Sequence, residues 1–301
     1  MNFVPNRCVC QALDYKIIFP IADWNFASTS QTAQMCQCSA CQSLFPKIFP
    51  DENSIALAYR KYYTLHKDRS FFRRFGRVLL DMLRKEGLMR NLPGHIRSVL
   101  DYGCGSGAWL TQMKAIRPEL ELVGTDLVCP SFQSLPFRWI SLDRVDEEKG
   151  LFEWITLSHV LEHLPDPLKV LQELVQCLAP GGSIWIATPN AESYLFLSLY
   201  GRARDADFPR HRQIFSRKAL EALLIECGLE VRLEQPSRVN ALLNLASGLA
   251  VRKRPPVDIS PPISVIAAFR DTVRYLFLSH AKRLERAPEL IMIGQRPSTF
   301  L

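Results

Sequence analysis

The chain has 301 residues, of which 48% are hydrophobic, and its formal net charge is +7 at neutral pH. This length suits one large α/β domain with additions or two small domains. A transmembrane helix is excluded, because no apolar run reaches the roughly 18 residues that a span needs. The positive charge favours anionic partners, whether nucleic acid, phosphorylated metabolites or an acidic membrane surface.

Cysteines are concentrated at the start of the chain, where five of the nine fall within the first 41 residues. The N-terminus has no apolar signal core, so we expect a cytoplasmic, reducing location, in which such a cluster favours metal binding over disulfides. Two short cysteine pairs can supply the four thiolates that tetrahedral zinc requires. The predicted ligands of a structural zinc ion are Cys8, Cys10, Cys38 and Cys41.

Two features leave the zinc prediction open. The pair Cys8-x-Cys10 is one residue shorter than the usual C-x-x-C knuckle, and Cys36 is a spare candidate ligand. A degenerate knuckle, or a set of buried free thiols, is therefore the alternative interpretation. If zinc binds, four thiolates close its coordination shell and leave no open position for chemistry.

A glycine-rich turn follows the helical pattern FFRRFGRVLLDMLRKEGL and a short strand that we expect to end at Asp101. Gly103, Gly105 and Gly107 alternate, and the apolar spacing of AWLTQMKAI then predicts a helix. A strand, a glycine turn and a helix form the first unit of a doubly wound nucleotide-binding fold. A second strand ends at Asp126, where a carboxylate can accept hydrogen bonds from ribose hydroxyls. This order of elements predicts a nucleoside site.

The segment SHVLEHLPDP contains His159-x-x-Glu162-His163, which is the H-x-x-E-H pattern of a zinc peptidase family. Such a site needs both histidines on one helix. Here the β-rich run WITL precedes the pattern, and Pro165 and Pro167 would interrupt a helix that continued through it. We therefore predict a fourth strand, a ligand-binding loop at its carboxyl end, and then the helix PLKVLQELVQCL. A divalent ion on this loop, and a purely loop-fixing role for His163, are alternatives.

Near the end of the chain, EVRLEQ and ELIMIGQRP are predicted as the sixth and seventh strands. About fifty residues separate them, which is more than a hairpin needs. One helical face within this insertion is approximated by Ile266, Phe269, Val273, Leu276 or Phe277, and Leu284. We expect that helix to pack over the site or on a partner subunit. Contact of residues 263–284 with a membrane surface is the alternative, because basic side chains accompany the apolar stripe.

Three segments carry a family resemblance: VLDYGCGSG, LVGTDL and SHVLEHLPDPLKVLQELVQCLAPGGSIWIATPN. In order and spacing they resemble the class I S-adenosylmethionine-dependent methyltransferases, in particular the small-molecule branch that acts on quinones and sugars. The resemblance covers residues 95–235, and CQCSACQSLFPKIF resembles the zinc-knuckle prefix of some members. Phe152-Glu153 departs from the Phe-Asp that is common at the start of strand four, although the acid is kept.

The resemblance implies a fold and a division into domains. The fold is α/β, a Rossmann-like doubly wound sheet of seven strands in the order 3-2-1-4-5-7-6, with the last strand antiparallel. We expect a zinc-binding module over 1–50, a helical cap or linker over 51–96, and a methyltransferase domain over 97–235 and 286–301. A helical insertion over 236–285 would lie between strands six and seven.

The resemblance also implies which residues bind the cofactor, S-adenosylmethionine. Asp101 would neutralise the methionine amino group, Ser158 would line the methionine end, and Asp143 would reach the adenine unless it is only a solvated turn acid. The full predicted set is Asp101, Gly103, Gly105, Gly107, Asp126, Leu127, Asp143 and Ser158.

Methyl transfer mainly requires that donor and acceptor be held in line, and a general base is needed only for a weak nucleophile such as a hydroxyl. His211 is the first candidate for a base or an acceptor contact, with a loop-fixing role as its alternative, and His159 is the second. The arginines that flank His211, namely Arg202, Arg204, Arg210 and Arg212, are candidates to hold an anionic acceptor.

The predicted function is methyl transfer to a small-molecule acceptor. An RNA methyltransferase is the first alternative, suggested by the net charge and the cysteine knuckle, but no N/D-P-P-Y/F segment follows strand four. A non-catalytic scaffold protein is the second alternative. The intact Asp101, glycine turn and Asp126 argue against it.

Overall fold

The protein is described by a computed structural model. It describes residues 1–23, 28–65, 92–129, 135–193, 196, 206–234, 270, 273–274 and 286–298. The helix predicted over 71–88 lies outside these residues, as does nearly all of the insertion over 236–285. The amphipathic segment 263–284 is described only at residues 270, 273 and 274.

The chain divides into two compact units. The first, here called the cysteine unit, comprises Met1–Arg84, Pro189–Ala219 and Gln235–Leu290. The second, called the sheet unit, comprises Lys85–Thr188, Leu220–Glu234 and Ile291–Leu301. The domain boundaries inferred from the sequence stay a prediction, because compactness does not test which segments fold alone.

The cysteine unit contains two small antiparallel sheets. In one, β1 (Phe3–Pro5) pairs with β5 (Ile48–Pro50); in the other, β3 (Ala33–Cys38) lies between β2 (Tyr15–Ile21) and β4 (Leu44–Pro46). Helix α1 (Glu52–Leu65) follows. The apolar core of the unit consists of Phe19, Ile21, Ala33, Met35, Leu44, Ala191, Phe196, Ala206, Phe208 and Ile214. Short strands bury little surface by themselves, and here residues from 191–214 complete their core.

The sheet unit is built on seven strands. These are β6 (Ser98–Tyr102), β7 (Glu121–Thr125), β8 (Arg138–Trp139), β9 (Phe152–Ser158), β10 (Leu178–Pro189), β11 (Glu230–Glu234) and β12 (Glu289–Gln295). Their order is β11-β12-β10-β9-β6-β7-β8, which is the predicted 3-2-1-4-5-7-6 order seen from the other end. β12 pairs antiparallel with β11, whereas β8, β7, β6, β9 and β10 pair in parallel. The predicted fold is confirmed.

Burial explains why these segments form strands and helices. Trp154, Ile155 and Leu157 of β9 are all buried, which is typical of a parallel strand covered on both faces. Helices α2 (Ala108–Ile116), α3 (Pro167–Cys177) and α4 (Arg217–Glu226) follow β6, β9 and β10 in the chain. Asp166 caps α3 by accepting a hydrogen bond from the Lys169 N–H at 3.0 Å.

Two smaller points concern the predicted elements. β6 continues one residue past Asp101, because Tyr102 pairs with Thr125 on β7. None of the helices in the described ranges is long and apolar enough to span a bilayer.

Candidate functional site

The carboxyl ends of β8, β7, β6 and β9 meet at one edge of the sheet, because these neighbouring strands run parallel. Asp101 lies near the end of β6, Asp126 directly follows β7, and Ser158 ends β9. Asp143 lies in the first turn of a 3₁₀ helix, Leu142–Glu147, after β8. The structure thus brings these predicted residues to one edge, where ligands bind in open α/β sheets.

The glycine turn after β6 is closely packed at both ends. The Gly103 N–H donates to the Thr125 oxygen at 2.8 Å, which ties the turn to β7. Gly103 has φ +80° and Gly107 has φ +69°, in the left-handed region that favours glycine. A Cβ at Gly103 would overlap the Val160 side chain, and one at Gly107 would overlap the Phe137 ring. Side chains are therefore excluded at both positions.

The middle of the turn is open instead. A Cβ added to Gly105 would meet no atom of the described residues within 4 Å. The Gly105 N–H donates to Asp126 Oδ2 at 2.7 Å, and Leu127 next to it is an apolar side chain that is 76% exposed. An open space beside a glycine, with a carboxylate and an exposed apolar side chain following β7, fits the ribose and base of a nucleoside.

Asp101 is a buried carboxylate with a partner on the neighbouring strand. Its side chain is 5% exposed, and Thr156 Oγ1 donates to Asp101 Oδ1 at 2.7 Å. Thr156 lies opposite Asp101 in the β6–β9 register. Thr156 was not among the residues predicted from the sequence, although a hydroxyl in the apolar run WITL is a signal, since buried polar groups need partners.

A cavity of about 190 Å³ lies beside Asp143. It is lined by Tyr102, Leu142, Asp143, Val145, Asp146, Val170, Glu173 and Leu174. Burial raises the pKa of Tyr102 to about 12, and the charges of Glu173 and Asp126 act in the same direction. The Tyr102 hydroxyl therefore keeps its proton near neutral pH and can donate a hydrogen bond. Tyr102 was also not among the residues predicted from the sequence, although it adjoins Asp101.

A larger cavity of the sheet unit, about 590 Å³, lies at the opposite edge of the same strands. Its lining includes Ser98, Glu121 and Phe152, the first residues of three strands. None of the described residues that line it belongs to the predicted site. Size alone therefore does not identify the predicted cofactor site.

The segment after β9 does not form the continuous helix that a zinc peptidase needs. His159 has φ +57°, in the left-handed region, and only one 3₁₀ turn, Leu161–His163, follows. His159 and His163 therefore do not share a helix face. The prediction of a loop at the carboxyl end of the fourth strand is confirmed.

His159 is paired with a buried acid. Glu162 is fully buried; its Oε1 lies 3.3 Å from His159 Nδ1, and its Oε2 accepts a hydrogen bond from Thr188 Oγ1 at 3.0 Å. A carboxylate at Nδ1 fixes the ring orientation and favours the tautomer in which Nε2 can accept a proton. Glu162 thus holds the His159 ring in a fixed orientation.

The four predicted metal ligands come together in the cysteine unit. The Sγ atoms of Cys8, Cys10, Cys38 and Cys41 lie within 4.8 Å of one another. The Cys8 Sγ atom lies 3.3 Å from Cys41 Sγ and 3.6 Å from Cys10 Sγ. The Cys10 Sγ atom lies 3.5 Å from Cys38 Sγ. Four thiolates about 2.3 Å from zinc would be separated by roughly 3.8 Å, so the donor set fits the metal. Cys36 is not part of the group; its Sγ contacts the Gln34 oxygen.

Crowding of the sulfurs changes their protonation. The hydrogen bond with Cys41 raises the pKa of the Cys8 thiol, and burial raises it further. The same hydrogen bond lowers the pKa of Cys41. A divalent cation would displace the thiol protons, because zinc binds thiolates.

His211 lies in the cysteine unit, where it is 7% exposed, and its backbone N–H donates to the Asp207 oxygen at 3.1 Å. The neighbouring Arg210 is 1% exposed and forms ion pairs with Asp207 at 2.7 Å and with Asp23 at 3.2 Å. Arg210 is therefore not available to an anionic acceptor. The Arg212 guanidinium lies 4.4 Å over the Phe49 ring.

Two other arginines of the predicted anion-binding group, Arg202 and Arg204, lie outside the described residues. The roles assigned to His211 and to the cofactor-binding residues stay predictions.

Comparison with curated proteins gives partial matches. The ubiquinone biosynthesis O-methyltransferase of Paracidovorax citrulli is 31% identical over 114 residues, 34% of this chain and 47% of that protein. The protein of the same name from Pseudomonas aeruginosa is 29% identical over 154 residues, 45% of this chain and 66% of that protein. The chain spans about half the length of the first of these relatives.

Comparison with solved structures gives a remote overlap. A SAM-dependent methyltransferase from Archaeoglobus fulgidus has a TM-score of 0.47 and 20% identity, and the overlap covers 75% of this chain and 100% of that one. The fold assignment does not depend on this overlap, because the strand order gives it directly.

Residues 64–234, which are 171 of the 301 residues, match the model of a protein family described as a methyltransferase domain. The match contains the glycine turn, Asp126 and the segment after β9. The resemblance predicted from these motifs is thus confirmed, and the chain belongs to the methyltransferase-domain family.

Proposed function

We propose that the protein transfers a methyl group from S-adenosylmethionine to a small-molecule acceptor. The observation that carries this proposal is the sheet edge at which Asp101, the glycine turn and Asp126 lie together. Membership of the methyltransferase-domain family supports it. Two relatives are named for O-methylation in ubiquinone biosynthesis, which favours a small acceptor with a hydroxyl group.

The residues of the sheet edge divide the binding of the cofactor between them. Asp126, beside the open space at Gly105, would accept hydrogen bonds from the ribose hydroxyls. Leu127 would cover the base, and Asp143 would accept a hydrogen bond from its amino group. The exposed position of Leu127 supports this assignment, since a flat base offers it an apolar surface.

The methionine end belongs to β6 and β9. S-adenosylmethionine carries the methyl group on a sulfonium cation. When the methyl group is transferred, the leaving group is a neutral thioether, which needs no protonation. Asp101, which Thr156 holds in place, would balance the charge of the amino group. Ser158 would line this end as the last residue of β9. The residues therefore act by holding the donor in a near-attack geometry.

Zinc has a structural role in this proposal. Cys8, Cys10, Cys38 and Cys41 would hold one ion, and four thiolates leave no open coordination position for an acceptor. The ion would therefore stabilise the cysteine unit and take no part in methyl transfer.

The function is tested by calorimetric titration of the protein with S-adenosylmethionine, followed by radiolabelled methyl transfer to a panel of catechols and other hydroxylated small molecules. We expect saturable binding of one cofactor per chain and methylation of at least one small molecule. Absence of binding by correctly folded protein would contradict the proposal. If the protein instead binds RNA with an affinity that falls steeply as salt is added, and methylates RNA but none of the small molecules, the acceptor is RNA.

His211 and His159 are the candidates to take a proton from the acceptor. We expect His211→Ala to lower the turnover number by about 100-fold or more, the usual contribution of a general base, and to leave cofactor affinity unchanged. His95→Ala, which changes an exposed histidine before β6, is the matched control. The measurements are initial rates over a range of pH and the dissociation constant of the cofactor.

The same measurements on His159→Ala distinguish the two histidines. If His211→Ala keeps full activity and His159→Ala loses most of its turnover, the general base is His159, oriented by Glu162. A loss of cofactor affinity in His211→Ala equal to the loss of turnover would contradict an acceptor role.

A further inference from the structure

We propose that the thiolate cluster orders the segment Arg210–Lys218, which carries His211, so that zinc binding and the folding of this segment are coupled. The proposal rests on the proposed zinc site and not on methyl transfer. All of the contacts that support it lie within the cysteine unit.

Gln213 joins the segment to the first cysteine pair. Its carboxamide oxygen accepts a hydrogen bond from the Val9 N–H at 3.1 Å, and its Nε2 donates to Cys8 Sγ at 3.5 Å. The Gln213 side chain is 5% exposed, so both of its polar ends depend on these partners. A buried N–H that donates to a ligand sulfur is the kind of contact that orients metal ligands.

Ile214 joins the segment to the strand that follows the second cysteine pair. The Leu44 N–H donates to the Ile214 oxygen at 2.9 Å, and the Ile214 N–H donates to the Leu44 oxygen at 2.8 Å. The Ser216 N–H donates to Ser43 Oγ at 3.1 Å. The segment therefore forms an isolated antiparallel bridge with β4 at Leu44, three residues after Cys41.

The turn of the second cysteine pair is held by two side chains of the segment. Ser216 Oγ donates to the backbone oxygen of Cys41, and Lys218 Nζ donates to the Ala40 oxygen at 3.0 Å. Ser216 is 1% exposed, so its contact is shielded from water.

The two cysteine pairs are distant in sequence, since Cys8 and Cys41 are separated by 33 positions. The segment contacts the first pair through Gln213 and the second through Ile214, Ser216 and Lys218. It can make both sets of contacts only while the two pairs are held together. A metal ion that binds both pairs holds them in that way and so favours the ordered segment.

The coupling has a reciprocal consequence. If zinc favours the ordered segment by some factor, the ordered segment strengthens zinc binding by the same factor. A change that weakens the segment's contacts is therefore expected to weaken zinc binding. We expect Gln213→Ala to lower zinc affinity about 10- to 100-fold, which is the usual effect of removing a group that orients a metal ligand. Gln34→Ala, which changes an exposed glutamine of β3, is the matched control and should bind zinc as the unchanged protein does.

The experiment compares amide hydrogen exchange of the full chain, loaded with zinc ions and after their removal by a chelator. We expect the Ile214 and Ser216 amides to lose protection when zinc is removed, while the amides of β6 and β7 in the sheet unit keep theirs. Zinc affinity of both glutamine variants is measured by competition with a chromogenic chelator.

Unchanged protection of the segment without zinc would overturn the proposal. If removal of zinc exposes amides throughout the chain, the zinc affinities of the two glutamine variants decide the question. Equal zinc affinity in Gln213→Ala and Gln34→Ala would overturn the coupling. A loss of zinc affinity in Gln213→Ala alone would support it. Failure of the unchanged protein to bind zinc would instead remove the proposed zinc site, so the two failures are distinguishable.

Discussion

Replacement of Asp126 by alanine is expected to weaken S-adenosylmethionine binding by at least about 100-fold. In the proposed site this carboxylate accepts hydrogen bonds from ribose hydroxyls, and a hydrogen bond to a charged group contributes about 1.5–3 kcal/mol. Two such bonds exceed the ~2.7 kcal/mol that corresponds to 100-fold. The change also removes the acceptor that the Gly105 N–H has at 2.7 Å.

Two further variants separate these effects. Asp126→Asn keeps one side-chain oxygen, which can still accept the Gly105 N–H, and is expected to lose about tenfold, because the hydrogen bonds to a charged group become neutral. Glu121→Gln changes an exposed carboxylate at the amino end of the same strand and should leave binding unchanged. The measurement is calorimetric titration of the three variants and the unchanged protein with S-adenosylmethionine, with thermal unfolding as a check on folding. An unaltered dissociation constant in Asp126→Ala would remove the ribose assignment.

The sequence predicts the sheet unit well, because its signals are local and periodic. Trp154, Ile155 and Leu157 of β9 are apolar and buried, as in a parallel strand covered on both faces, and Pro167 marks the first turn of α3. The prolines of SHVLEHLPDP together with the preceding strand decide against a helical peptidase site. The structure agrees, with His159 in the left-handed region and a single 3₁₀ turn after it.

Contacts between distant segments could not be predicted in this way. Thr156 holds Asp101 because strand order makes β6 and β9 neighbours, and that partnership depends on the register. Gln213 reaches Cys8 across 205 positions, and no spacing rule connects them. Arg210 was predicted as a candidate anion ligand from its charge, but Asp23, which pairs with it, is 187 positions away.

The cysteine motif shows the same limit. The short Cys8-x-Cys10 pair departs from the usual knuckle, so the spacing left Cys36 as a spare candidate ligand. The structure separates the two cases, because the cluster contains Cys38 and Cys41 while the Cys36 sulfur contacts the Gln34 oxygen within its own strand.

Simultaneous replacement of Cys38 and Cys41 by serine is expected to reduce the zinc content from about one ion per chain to none. Structural zinc contributes an apparent ~10–16 kcal/mol in zinc-finger peptides, and the two thiolates that remain here supply only half of the ligand set. The backbone contacts of both positions survive in serine: the Cys38 N–H donates to the Ser43 oxygen, and the Cys41 oxygen accepts from Ser216. Loss of metal would therefore result from loss of the sulfurs.

Cys36→Ser is the matched control, because Cys36 is a fully buried cysteine of β3, the strand that ends at Cys38, and lies apart from the cluster. It should keep its zinc, although burial of a hydroxyl lowers its stability by about 1–3 kcal/mol. Elemental analysis of untagged protein and thermal unfolding of the three chains are the measurements. Zinc retained by the double variant, or lost from Cys36→Ser while that variant remains folded, would place the metal elsewhere. The cysteine cluster and the proposed cofactor-binding residues at the sheet edge belong to different compact units. The zinc-free double variant should therefore still bind S-adenosylmethionine if its sheet unit stays folded. That result would distinguish a structural metal from one that is needed to hold the cofactor.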